Sequence, residues 1–227
     1  MKSKLFTPIL ILLMAFTTGA AFAQVTAGPS DATTAPPATT AGADKILCSG
    51  STITLTGPQD AGGVDYTKYH WYKIDAGGNK QEATTTGRTY TETATTAGYY
   101  NYQVVTENAT GCTSPISDVY KIFVLPPLTV SITTPTSTMC AMATNSSLLT
   151  ANVTPSTGYT FNYQWTRNGV AIPGATSSTY DVTGETTAGT VTFGVNVSYT
   201  LNSTCPASAT KDLILTPIPG KPMITAN

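Results

Sequence analysis

Between Cys48 and Cys205 the sequence states one pattern twice. Each copy begins with a Cys and runs through an alternating stretch to an aromatic-x-Trp, Tyr69-His70-Trp71 in the first and Tyr163-Gln164-Trp165 in the second. Thr-Tyr follows (Thr89-Tyr90; Thr179-Tyr180), then Thr-Thr-Ala-Gly ending at Gly98 and Gly189, an aromatic strand and a second Cys. Matching residues lie about 90 to 94 positions apart, the length of one small β-sandwich and too long for a solenoid unit. The repeat therefore predicts two like domains in tandem.

Lys2 and Lys4 precede an apolar run from Ile9 to Phe16, then small residues and Ala21-Phe22-Ala23. This order fits a signal peptide over 1–23 with cleavage before Gln24. The run is too short for a membrane span, which needs about 20 apolar residues, and no later segment is apolar for longer. The expected protein is secreted, extracellular or at the cell surface, with a periplasmic location also open.

Loss of the leader would change the formal charge from −1 to −3, because it removes two lysines and no acid. The remaining basic residues are scattered, which disfavours nucleic-acid binding. Thr makes up roughly one residue in five, a β-branched bias suited to half-exposed strands. Residues 24–43 are Thr, Ala, Pro and Gly with few large apolar groups, and read as a flexible linker. The five Asn-x-Ser/Thr triplets, at Asn108, Asn145, Asn152, Asn196 and Asn202, are close to the number that so hydroxyl-rich a chain yields by chance.

Strand signals place one domain over 44–126 and the other over 127–218, with a tail at 219–227. Ser51 to Thr56 alternates, Thr67 to Ile74 sets Tyr69, Trp71 and Lys73 on one side, and Gly98 to Glu107 is the most aromatic strand. The second copy repeats this order, with Asn168-Gly169 as a hairpin turn. No stretch carries helical periodicity with caps. Trp71, Tyr100, Tyr102, Trp165 and Phe193 are the expected core. The opposite parity sends His70, Tyr72, Tyr99, Asn101 and Gln103 outward as a possible ligand surface for a glycan or a surface protein.

A Trp in the third strand followed by Gly98-x-Tyr100-x-Tyr102 is similar to the Trp core and tyrosine corner of immunoglobulin domains. Tyr102 stands where such domains carry a cross-sheet Cys, with Gly57 near its partner's place. In the second copy Val191 and Phe193 occupy the corresponding places. Cys before one strand and Gly111-Cys112 after the aromatic strand resemble the bacterial immunoglobulin-like and PKD-like repeats of secreted surface adhesins and gliding-associated proteins. The resemblance implies an all-β fold of two tandem sandwiches acting as an adhesion, spacer or assembly module.

Four Cys in an exported chain, two per repeat, read as disulfides. Of three connectivities the spacing favours Cys48 with Cys112 and Cys140 with Cys205. Against this, immunoglobulin topology puts each such pair at opposite ends of its domain, so either the strand is rerouted or the thiols are unpaired. Zinc is disfavoured because no two Cys are closely spaced and His70 is the one His, and no cofactor is expected. The acidic, Gly-rich loops at 60–65 and 75–79 lack a known calcium spacing. With one His and scattered acids, no nucleophile with an oriented base is foreseen. The readings carried forward are a noncatalytic module, a carbohydrate-binding module, and a self-assembling fibre subunit.

Overall fold

The structure is a computed structural model that describes residues 28–31 and 34–225. The signal-peptide expectation lies outside the described residues. Fifteen strands and one 3-10 turn, Thr40–Gly42, make up the regular structure of the described residues, and none of them contains a helix long and apolar enough to cross a membrane.

The first sandwich is built from β1 (Lys45–Cys48), β2 (Thr52–Thr56), β3 (Lys68–Ile74), β4 (Lys80–Glu82), β5 (Thr89–Thr93), β6 (Gly98–Glu107) and β7 (Tyr120–Leu125). A five-stranded sheet in the order β1-β7-β6-β3-β4 faces the pair β2-β5. The second contains β8 (Thr129–Thr133), β9 (Thr138–Cys140), β10 (Ser146–Thr154), β11 (Phe161–Arg167), β12 (Val170–Ala171), β13 (Thr179–Thr183), β14 (Gly189–Tyr199) and β15 (Pro206–Thr216). Its sheets run β12-β11-β14-β15-β9 and β13-β10-β8. β9 to β15 thus repeat β1 to β7 position for position, including the parallel pairing that sets Cys48 beside Leu125 and Cys140 beside Thr216. The hairpin read from Asn168-Gly169 forms, with positive φ at both residues as a tight type I′ turn requires.

Period-two alternation fills both cores. Trp71 and Trp165 are buried, and their indole N–H groups donate to Gly87 O at 3.0 Å and Ser177 O at 2.9 Å. Each indole meets a Tyr, Tyr90 or Tyr180, at a centroid distance of 5.9 Å. That Tyr meets Tyr102 at 5.4 Å or Phe193 at 5.9 Å. Tilted ring triples of this kind supply large apolar area with fixed geometry. Gly57 faces the ring of Tyr69, and a Cβ there would lie 2.5 Å from it. Tyr69 is itself pinned, because its hydroxyl donates to Pro58 O at 2.9 Å.

Among the described residues β8 has no counterpart in the first sandwich. The segment that precedes β1 is laid elsewhere: Asp31 bridges to Tyr99, and Ser30, buried, accepts from the Asn101 N–H at 2.9 Å. This part of the expected linker is therefore seated against β6. The repeat places Pro58 where the second sandwich has Asn152, which pairs with Ser131 of β8. Proline has no N–H to give to an added strand there, so the edge is blunted.

The two sandwiches meet through a third apolar cluster of Phe123, Leu125, Tyr199 and Cys205, with Ile46, Tyr99, Tyr159, Phe161 and Leu201 packed around it. Tyr199 donates to Pro126 O at 3.0 Å, and burial, helped by Tyr159, pushes its hydroxyl up to about 12. Asn202 donates to Ile46 O at 2.8 Å across the same junction.

The cysteine pairing differs from the expected one. Cys48 is bonded to Cys205, with Cα atoms 5.5 Å apart, while Cys112 and Cys140 are unpaired and exposed. Neither intradomain bridge forms, because each domain carries its two Cys at opposite ends. The half-cystines that meet belong to successive repeats: the end of β1 in one and the loop before β15 in the next.

Candidate functional site

The outer face of β3 and β6 was the expected ligand surface, and its five residues take three different environments. His70 and Tyr72 are half-buried beside β4. Tyr99 packs edge-on against Phe123 at 4.8 Å, so it belongs to the domain junction. Asn101 sits under the Ser30 segment. Gln103 is 8% exposed and donates to Ser117 O at 2.6 Å. Alternation does send these side chains out of the core, but residues 113–118 and the segment before β1 then cover the middle of the strand. Asn101 and Gln103 are accordingly not an open surface.

The uncovered remnant is an ion-paired imidazole. His70 Nδ1 lies 2.6 Å from Glu82 Oε1 and its Nε2 3.1 Å from Glu107 Oε2, and Lys68 Nζ closes on Glu107 at 3.0 Å. The hydrogen bonds to Glu82 and then Glu107 raise the His70 pKa above 6.5, and those from Lys68 and His70 hold the Glu107 carboxyl low. The two carboxylates sit on opposite nitrogens of one ring, so they cannot converge on a common metal ion. With both nitrogens occupied, the ring is not poised as a base for a nucleophile.

The folded domain holds the His70 proton more tightly than the unfolded chain does. The stability this contributes is complete below about pH 6.5 and is lost as pH rises through the higher folded value. Thermal unfolding of the first domain is expected to decline modestly across that window in the native protein and to stay flatter in His70→Gln. Equal slopes in both proteins would show that the pair carries no pH dependence.

The sequence reading placed Lys73 on the inner side of β3 but missed its partner. Lys73 Nζ is 2.8 Å from Glu92 Oε1, with side chains 6% and 11% exposed. Tyr102 donates to Glu92 Oε1 at 2.7 Å and Tyr90 to Oε2 at 2.6 Å. Lys73 also stands over the Tyr100 ring at 4.7 Å. Burial, joined by the Glu92 charge, pushes the Tyr102 and Tyr90 hydroxyls far above their ordinary value. The signal was present: Tyr90 and Glu92 share strand parity, and an acid on a core face calls for a cation opposite. In the second sandwich Val182 replaces Glu92, and Arg167 turns outward to a two-pronged pair with Glu185 at 2.9 and 2.8 Å.

A cleft of about 420 Å³ opens beside β2, lined by Thr54 to Pro58, Trp71, Tyr102 to Val104, Ser117, Asp118 and Tyr120. Its walls are mainly hydroxyl and apolar groups. The acidic loops are self-satisfied: Asp60 Oδ1 accepts from the Gly62 and Val64 N–H groups, and Asp75 Oδ1 from those of Gly77 and Asn79.

Tyr100 completes the description. Its hydroxyl donates back to Thr96 O at 2.9 Å, the bond that defines a tyrosine corner. Residues 36–126 match the family model described as Ig-like domain, CHU_C associated. This span is an immunoglobulin-like domain. The chain is similar to the fibronectin(III)-like modules of CbhA from Clostridium thermocellum, at 16% identity and TM-score 0.44, covering 86% of this chain and 99% of that one. It is similar to the three N-terminal domains of the highly immunogenic outer capsid protein Hoc of bacteriophage RB49, at 20% identity and TM-score 0.35, covering 75% and 56%. A Dscam structure concerned with isoform specificity gives 19% identity and TM-score 0.36, with 81% and 45% covered. Among curated proteins none matches. In the immunoglobulin-like domain Tyr102 stands at the place of a cross-sheet Cys, and between the sheets its hydroxyl donates to Glu92, which pairs with Lys73.

Proposed function

We propose that this chain is a noncatalytic extracellular module, a spacer that holds two immunoglobulin-like domains in a fixed end-to-end relation for adhesion or assembly. The observation that carries this reading is the junction: the Cys48–Cys205 bond together with the apolar cluster of Phe123, Leu125 and Tyr199. A structural disulfide persists in oxidising compartments, which supports location outside the cytoplasm. The convergent ionisable groups support the noncatalytic part, since His70 is taken up by Glu82 and Glu107 and Lys73 by Glu92.

The purified protein is expected to turn over no ester, peptide or polysaccharide substrate and to give no selective signal on a glycan array. A glycan signal lost in a His70→Ser/Tyr72→Ser variant of unchanged stability would overturn the reading in favour of a carbohydrate-binding module.

A further inference from the structure

Two of the four cysteines have no bonded partner. Cys112 in the first domain is the counterpart of Cys205, and Cys140 in the second is the counterpart of Cys48. The counterparts are bonded to each other across the domain junction, whereas Cys112 and Cys140 are exposed thiols. They lie at opposite ends of the molecule. Cys112 follows the Glu107 end of β6, away from the junction, and Cys140 ends β9 alongside Thr216, also away from it.

The loops that present the Cys share an Asn-x-Thr turn, the first carrying one extra residue, Gly111, before its Cys. Asn202 Oδ1 accepts from the Thr204 N–H at 2.9 Å and from its hydroxyl at 2.7 Å. Asn108 Oδ1 accepts from the Thr110 N–H at 3.0 Å, from its hydroxyl at 2.8 Å, and from the Cys112 N–H at 2.9 Å. Asn202 also spends its amide N–H on Ile46 O of the preceding domain. The counterpart of Ile46 is Thr138, two residues before Cys140. Phe123, buried in the junction, corresponds to Ile214, which is 50% exposed.

From this equivalence we propose that a second copy of the chain is the partner of these ends: Cys140 of one copy bonds Cys112 of the next, in the geometry of Cys48 with Cys205, and the copies propagate head to tail. Such a contact is heterologous, joining two different surfaces, and it does not close on itself as a twofold dimer does. The face of the second domain is more polar than its counterpart, with Thr138, Thr190 and Thr216 in place of Ile46, Tyr99 and Leu125. The covalent bond, and not burial, must therefore hold the copies.

The chemistry is thiol–disulfide exchange with a disulfide oxidant. The Cys112 thiolate attacks one oxidant sulfur and expels the other as a thiolate. The Cys140 thiolate of the second copy then attacks the Cys112 sulfur and expels the second. Two protein thiols lose two electrons and two protons in total, and the oxidant disulfide becomes two thiols.

The proposal rests on the noncatalytic-module reading, but its test is separate from hydrolysis and glycan binding. The secreted protein, with Cys48–Cys205 verified as intact by peptide mapping, is incubated with oxidised glutathione. Expected are a ladder of dimers and higher multiples that collapses to monomer on reduction, and a Cys112–Cys140 cross-linked peptide. Cys112→Ser alone and Cys140→Ser alone should each stay monomeric, while their mixture should form dimers and nothing larger. Dimers of one variant on its own would show a symmetric bond and overturn the head-to-tail arrangement. Monomer throughout, with both thiols open to alkylation, would overturn the proposal altogether.

Discussion

Replacing Glu92 by Gln is expected to destabilise the first domain by about 3–5 kcal/mol, the cost of leaving one member of a buried ion pair behind. The carboxylate accepts from Lys73, Tyr90 and Tyr102 at once. Without its charge the Lys73 ammonium keeps the full cost of burial and loses the attraction that offset it. For a domain of this size the loss lowers the unfolding midpoint by well over 10 °C, at about 4–8 °C per kcal/mol. The second sandwich has Val182 in the matching place and so no such pair to lose. Lys73→Met combined with Glu92→Leu should recover much of the loss, since an apolar pair of similar volume leaves no charge unsatisfied. Calorimetry of the three proteins decides the matter, and a Glu92→Gln protein as stable as the parent would mean that the pair contributes nothing net.

Cys205→Ser is expected to leave both sandwiches folded and to uncouple them. A closed loop of 157 residues corresponds in the chain-entropy model to about 5 kcal/mol, with native disulfides commonly worth about 2–5 kcal/mol. What remains is the apolar junction and the Asn202 bond to Ile46. Urea unfolding of the variant should separate into two transitions, and small-angle scattering should report a broader spread of interdomain distances. A single unshifted transition would show that the apolar junction alone fixes the domains.

The sequence made the sandwiches legible because a strand's parity is local. Tyr69, Trp71 and Lys73 alternate into the core as written, and the strand read at Thr67 to Ile74 begins one residue later, at Lys68. What parity cannot reveal is which loop covers an outward face. Gln103 is buried because Ser117 returns beside it along β6, a contact set by the path of residues 113–118. Cysteine pairing failed for a related reason. Spacing within one repeat suggests partners inside it, whereas tandem stacking brings the end of one repeat against the start of the next. The Asn108 and Asn202 triplets also have a local purpose, since both Asn side chains shape the loops that carry Cys112 and Cys205.

The junction bond also changes how the molecule would bear a pull along its length. Tension entering at β1 reaches Cys48, crosses the sulfur bridge to Cys205, and continues at once into β15, which begins at Pro206. Nearly all of both sandwiches lies off that covalent route. Roughly 500 Å of contour, at about 3.3–3.6 Å per extended residue, is held as a closed loop that no tension between the two ends can pay out. While the bond is oxidised the chain behaves as a short inextensible strap with two folded bodies hung from it; reduction places those bodies in series with the load and turns the strap into a long, yielding tether.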